Sequence, residues 1–139
     1  AEILKPYDFV IDTTDNLESK FLIAEACHQA RKPYSHGGIR TYYGQTITVY
    51  PGQTACYRCV FHNAPSEKAG APRGPLGVVP GVIGALQATE ALKHLLELGV
   101  PLVNSLLVYD ALDMSFHRIE VKRDRSCPLC GKRAGNGAS

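Results

Sequence analysis

The 139 residues are enough for one domain with a buried core, and 45% apolar against 20% charged residues is the balance of an ordinary globular protein. A net charge of +2, clustered only in the short run Lys122–Arg125, is too small to predict nucleic acid or a charged membrane surface as a partner. No apolar run reaches the roughly 20 residues of a membrane span, and the opening Ala1–Lys5 lacks the apolar segment of a secretory signal, so a cytoplasmic protein is expected.

In chain order, Tyr7–Asp12 is short, apolar and β-branched at its centre and predicts a buried strand. A chain that opens almost directly on a strand is expected to be part of something longer. Thr13-Thr14-Asp15-Asn16 is a turn of capping residues, and Asp15 with Glu18 three positions on predicts a capping box for a helix from about Leu17 to Arg31, stopped by Pro33. A strand from Tyr34 to about Ile39, interrupted at Gly37-Gly38, is followed by one over Gln45–Tyr50 with Ile47 and Val49 on one face. The segment 62–76 is dense in Ala, Pro and Gly without an apolar period and predicts a mobile loop. Gly77–Leu98 predicts a long helix, apolar on all sides at first and then amphipathic, with Leu92, Leu95 and Leu96 opposite Glu90, Lys93 and Glu97. Ser105–Asp110 and Ser115–Lys122 predict a strand hairpin, and 134–139 a disordered tail.

Five cysteines in a chain of this kind argue for metal binding rather than disulfides. Cys27 stands alone in a predicted helix and reads as a small core residue. The other four form two C-x-x-C pairs, Cys56/Cys59 and Cys127/Cys130, supplying the four thiolates of a closed tetrahedral zinc site. With four protein ligands no position is left for a reacting water, so the expected zinc is structural. The alternative is a pair of redox dithiols. Between Cys59 and Cys127 lie 67 residues, so the metal would clip the chain's end back to its middle.

Asp12-Thr-Thr-Asp-Asn16 after an apolar strand, Cys56-Tyr-Arg-Cys59, the helix opening Gly77–Glu90, Tyr109-Asp-Ala111 and Cys127-x-x-Cys130 together resemble the ThiF/MoeB/HesA proteins. These are ATP-dependent activators of ubiquitin-like sulfur carriers, related to ubiquitin-activating enzymes. The succession spans nearly the whole chain, yet it corresponds to the C-terminal half of such a protein; the glycine-rich nucleotide loop of the other half has no counterpart here. The fold so implied is α/β, the second half of a Rossmann-like ubiquitin-activating-enzyme fold, with a mixed sheet and a four-cysteine zinc site over residues 1–133.

The activity implied by the resemblance is adenylation of a carrier's C-terminal glycine, in thiamine or molybdenum cofactor synthesis or a related pathway, using ATP and Mg²⁺. It assigns the catalytic role to Asp15, at the nucleotide's α-phosphate and metal, and nucleotide contacts to Asn16 and Lys20. Lys20 stands where Arg is usual, and it brings charge without bidentate geometry. Read locally, Asp15 is a helix cap and Lys20 a solvated helix charge. Many relatives carry a cysteine in the mobile loop; here Val60–Pro75 contains none, so a covalent link to the carrier from that loop is not expected. Arg73, His36 and Arg40 are further candidates near the carrier tail, with His36 better read as a hydrogen-bonded structural residue. Homodimerisation is common in the family. A non-catalytic, zinc-stabilised module that docks a ubiquitin-like partner is the rival reading, while a dinucleotide-binding oxidoreductase fails for want of G-x-G-x-x-G.

Overall fold

A computed structural model of the protein describes residues 2–62 and 74–131. Most of the segment 62–76, Arg73 within it, and the tail 134–139 lie outside the described residues. After a 3-10 turn at Glu2–Leu4 the first strand, β1, is only Val10–Asp12. Helix α1 spans Leu17–Ala30 and ends on Arg31 in the left-handed conformation (φ 54°), two residues before Pro33.

The start of α1 differs from the expected capping box. Asn16, not Asp15, is the cap: its side-chain oxygen accepts the Ser19 N–H at 2.8 Å. The reason lies just upstream, where Asp12 holds Thr14 through both the Thr14 N–H and its hydroxyl. The helix therefore begins at Leu17, and the extended residue before it with an oxygen to offer is Asn16.

Strand β2 (Tyr34–Arg40) runs unbroken through Gly37 and Gly38, contrary to the expected interruption. Both glycines sit inside the ladder with β3 (Tyr43–Val49), Gly37 opposite Thr46 and Gly38 opposite Gln45. Gly37, and Gly44 on β3, are there for space: a Cβ on Gly37 would collide with the Gln87 amide, and one on Gly44 with the Ile83 side chain. A single helical turn, α2 (Tyr57–Val60), lies inside the first cysteine pair. Helix α3 (Val78–Leu95) leads to β4 (Ser105–Asp110) and β5 (Ser115–Glu120), the expected hairpin.

The five strands form one mixed sheet in sequence order. β1 and β2 are parallel, with Asp12 opposite His36, and every later neighbour is antiparallel. One face carries α1, α2 and both cysteine pairs over a core that includes Ala24, Cys27, Tyr34, Ile47, Val49, Tyr57 and Leu106. The other is covered by α3, where the core reduces to Val79, Ile83 and Tyr109.

Beneath α3 the sheet is polar but still buried. Thr46 and Thr48, on the face of β3 opposite Ile47 and Val49, are fully enclosed. Their hydroxyls reach Ser35 Oγ (3.3 Å) and Glu90 Oε2 (2.7 Å). The helix accordingly buries Val79, Ile83, Gln87 and Glu90, a stripe at spacings of four, four and three. This reverses the expected amphipathic half, since Leu92, Leu95 and Leu96 are more than half exposed and Glu90 is inside. Glu90 is drawn in by partners: it accepts from Thr48 Oγ1 and, at 2.6 Å, from the Leu102 N–H, and it pairs with Lys93.

Candidate functional site

The carboxyl end of β1 gathers hydrogen bonds from Thr14, His36 and Gln87. Asp12, 2% exposed, ends the strand and points its carboxylate in three directions. Oδ1 accepts from the Thr14 N–H at 3.0 Å and from the Thr14 hydroxyl at 2.7 Å, and Oδ2 accepts from His36 Nδ1 at 3.0 Å. Lys20, one helical turn into α1, brings its ammonium to 3.6 Å from Oδ2 and donates at 2.6 Å to the Gly37 carbonyl. From the opposite face of the sheet, Gln87 Nε2 donates to the carbonyls of Asp12 (2.9 Å) and Ser35 (3.1 Å), tying β1 to β2. Each contact needs a buried partner of opposite character, and each has one.

The electrostatics follow from these contacts. Burial alone would raise the Asp12 carboxyl, but the hydrogen bonds from His36 and Thr14, with the Lys20 charge, bring it down to about 2. Asp12 is thus an anion at neutral pH and can only accept. His36 Nδ1 therefore carries the proton, and Nε2 is buried without a partner among the described residues. Burial lowers the His36 pKa against the pull of Asp12, and burial likewise lowers that of Lys20. The imidazole packs on Tyr57, with ring centroids 4.3 Å apart.

This is where the residues proposed for nucleotide chemistry are placed. Asp15 and Asn16 sit exposed in the turn between β1 and α1, outside the carboxyl end of a strand and at a helix N-terminus. The only hydrogen bond of the Asp15 carboxylate among the described residues is with Asn16 Nδ2, at 3.3 Å. Lys20 lies beneath that turn rather than on the surface. Arg40 is exposed further along β2, and His36 is buried as the sequence reading favoured. Sequence reasoning missed Asp12 and Gln87. The signals were present: an Asp two residues before a Thr is an Asx-turn pattern, and Gln87 shares helical spacing with Val79 and Ile83.

The four paired cysteines meet on the other side of Tyr57. All four Sγ atoms are buried and lie within 4.8 Å of one another, with separations of 3.8, 3.6 and 3.3 Å for Cys56–Cys59, Cys56–Cys127 and Cys59–Cys130. Tetrahedral zinc with Zn–S bonds of about 2.3 Å places its sulfurs about 3.8 Å apart, so the cluster fits that ion.

Each pair is turned inward by its own backbone, through Cys59 N–H to Cys56 O (3.0 Å) and Gly131 N–H to Cys127 O (2.9 Å). Gly131 is obligatory, because a Cβ there would run into the Arg125 and Cys127 backbone. The Asp124 N–H points at Cys59 Sγ from 3.5 Å, where it would stabilise a thiolate. Burial and then the neighbouring Cys130 push the Cys56 thiol far up, so a cation beside it would favour its ionisation. Cys27 stands apart and fully buried, its thiol pushed up to about 12 by burial first and Asp12 second.

Known proteins share both the sequence and the fold. The ThiF family profile matches residues 1–129. The chain is 42% identical to the sulfur carrier protein adenylyltransferase of Thermus thermophilus, over 94% of this chain and 51% of that protein. It is 40% identical to the SAMP-activating enzyme E1 of Haloferax volcanii (94% and 49%) and 40% identical to the rice adenylyltransferase and sulfurtransferase MOCS3 (94% and 29%). It therefore spans about half the length, or less, of these relatives. Among solved structures, E. coli MccB superposes with a TM-score of 0.76 over 91% of this chain and 39% of MccB, at 20% identity, a likeness of fold. Among the described residues no helix is long and apolar enough to cross a membrane. Motif order, mixed sheet, cysteine cluster and family match agree: the chain belongs to the ThiF family.

Proposed function

We propose that this chain is the C-terminal half of a cytoplasmic enzyme that adenylates the C-terminal glycine of a ubiquitin-like sulfur carrier. The carrier's carboxylate attacks the α-phosphorus of ATP, an acyl-adenylate forms, and pyrophosphate leaves with its electron pair. Such a step is limited by charge and alignment, so it needs cations on the phosphates and a carboxylate held in line. Magnesium bound with the nucleotide supplies the cationic charge.

Within this reading Asp15 is the catalytic carboxylate that holds the metal–phosphate assembly, and Asn16 offers its amide beside it. Lys20 contributes its positive charge from beneath the turn. Residues 1–133 form the functional unit. Zinc held by Cys56, Cys59, Cys127 and Cys130 is structural, and a homodimer is the working form.

The observation carrying the proposal is that Asn16 does the capping. The bland explanation of Asp15, a helix cap, is taken by its neighbour, and an exposed carboxylate remains at the carboxyl end of a parallel strand. The similarity to sulfur carrier adenylyltransferases supplies the substrate class.

The test is carrier-dependent ATP–pyrophosphate exchange by the protein in its full natural reading frame. Asp15→Ala should lower exchange by about 100-fold or more, the range for loss of a group stabilising developing charge, while thermal stability stays unchanged. Loss of folding instead would return Asp15 to a structural role. The second reading is a docking module for a ubiquitin-like partner without catalysis. It is favoured by the want of a glycine-rich phosphate loop in this sequence, and it predicts carrier binding with no exchange.

A further inference from the structure

Two things about the turn need explaining together. Asp15 is exposed, its carboxylate held among the described residues only by the Asn16 amide at 3.3 Å, yet the residue three before it is anchored from both faces of the sheet. Asp12 Oδ1 takes two hydrogen bonds from one residue, Thr14, so that residue's backbone and side chain both have a set position. Oδ2 is held by His36 from β2, and Lys20 and Gln87 bind the adjoining carbonyls from α1 and α3. A lysine, a histidine and a glutamine thus converge on Asp12, a buried carboxylate just before the turn, where an apolar side chain could have filled the same space. A cluster built only to stabilise would gain little over well-packed apolar residues, because burying the charges is costly. What charges add over apolar packing is direction.

We propose that Asp12 and Thr14 are positioning residues for the adenylation step: the Asp12 carboxylate sets Thr14, and Thr14 sets the attitude of Asp15 toward the nucleotide. The inference rests on the adenylation reading above. Asp12 reaches neither nucleotide nor carrier. Its Oδ1 edge serves the turn and its Oδ2 edge serves the protein body, so a disturbance on each edge should be read out differently. Stability belongs mainly to the His36–Lys20 side, and turnover to the Thr14 side.

Three substitutions separate the two edges in the full natural protein, with kcat and KM for ATP taken from carrier-dependent exchange and Tm from thermal unfolding. Thr14→Val removes the hydroxyl contact at nearly constant volume from a half-buried position. It should cost about tenfold or more in kcat, leaving KM within about twofold and Tm within about 3 °C. Thr14→Ser restores the hydroxyl and should restore kcat. Asp12→Asn keeps an acceptor for Thr14 but removes the charge facing Lys20 and His36. It should lower Tm more than Thr14→Val does, while costing less in kcat than Thr14→Val where the protein is folded.

If kcat losses merely track Tm losses across the three variants, or if Thr14→Val turns over normally, the positioning role is overturned while the adenylation reading stands. No exchange by the unaltered protein with any ubiquitin-like carrier overturns both. Should Asp12→Asn fail to fold, the Thr14→Val and Thr14→Ser pair still decides the matter.

Discussion

The two faces of the sheet are held by different physics. The face under α1 and α2 is an apolar core of conventional make, and its edge is sewn by four cysteines that join residue 56 to residue 130. The face under α3 has, among the described residues, only three buried apolar side chains, and its order comes from directed bonds: Gln87 to two strand carbonyls, and Glu90 to Thr48 and to the Leu102 N–H. Apolar packing tolerates sliding and exchange of similar shapes, whereas a hydrogen bond fixes register. The candidate site lies where the two regimes meet. Its Asp12 is bonded to His36 on the apolar side and reached by Gln87 from the polar side.

The largest break in this comparison should come from the metal. Cys127→Ser, or a strong chelator acting on the proposed zinc, should remove the clasp between the two cysteine pairs. It should destabilise the protein by about 3–5 kcal/mol, in the manner of losing a long-range cross-link. Unfolding curves with and without added zinc, read beside the metal content of the purified protein, check this. A protein that retains fewer than about one zinc per four thiolates, and is no less stable for it, would show the cluster to be redox dithiols instead.

The polar face should break next. Glu90→Ala strands the Thr48 hydroxyl, the Leu102 N–H and the Lys93 ammonium in one place, of which Thr48 is wholly buried. One buried and one half-buried donor left without acceptors cost about 2–4 kcal/mol together. Glu90→Gln keeps one carbonyl oxygen and should recover about half of that. If Glu90→Leu were as stable as the natural protein, α3 would be held by packing after all, and the contrast between the faces would fall.

The same contrast explains what the sequence made legible. The apolar face announced itself: Ile47 and Val49 alternate, the cysteine pairs are spaced for one ion, and α1 and the β4–β5 hairpin follow their periodicities closely. The polar face did not, because periodicity treats Gln87 and Glu90 as solvent-facing while a threonine-lined sheet waits beneath them. The same rule put Leu92, Leu95 and Leu96 inside, although no described element covers that side of α3. At the candidate site, the motif led to Asp15 and Asn16. The cap assignment between them could not be made without knowing that Asp12 had already tied down Thr14. Lys20 looked like a surface charge because helical position says where a side chain starts, not that a carbonyl and a carboxylate 17 and 8 residues away will draw its ammonium inward.

The smallest expected effect sharpens the comparison at the boundary itself, through pH. His36 is buried as a neutral ring whose pKa lies below its ordinary 6.5, and the groups facing it are Asp12, Lys20 and Tyr57. Below pH 6.5 the unfolded chain takes up a proton on this ring that the folded protein resists, so stability should fall as the pH drops from 7 toward 5. The effect of Asp12 has a different window. With its folded pKa at about 2, below the ordinary 3.8, its contribution is present above pH 3.8 and is lost only as the pH falls through about 2. A decline between pH 7 and 5 therefore belongs to histidine, with His28, also lowered by burial, as the second contributor. Replacing His36 by Asn should lower stability at pH 7, because an amide cannot match the ring's packing on Tyr57, yet it should flatten the slope between pH 7 and 5. The measurement is urea unfolding at several pH values with zinc held in excess, on natural and His36→Asn proteins. An unchanged slope would mean that His36 takes up its proton at the same pH in the folded and unfolded protein, and a decline made steeper by the substitution would mean that the ring is held protonated in the fold.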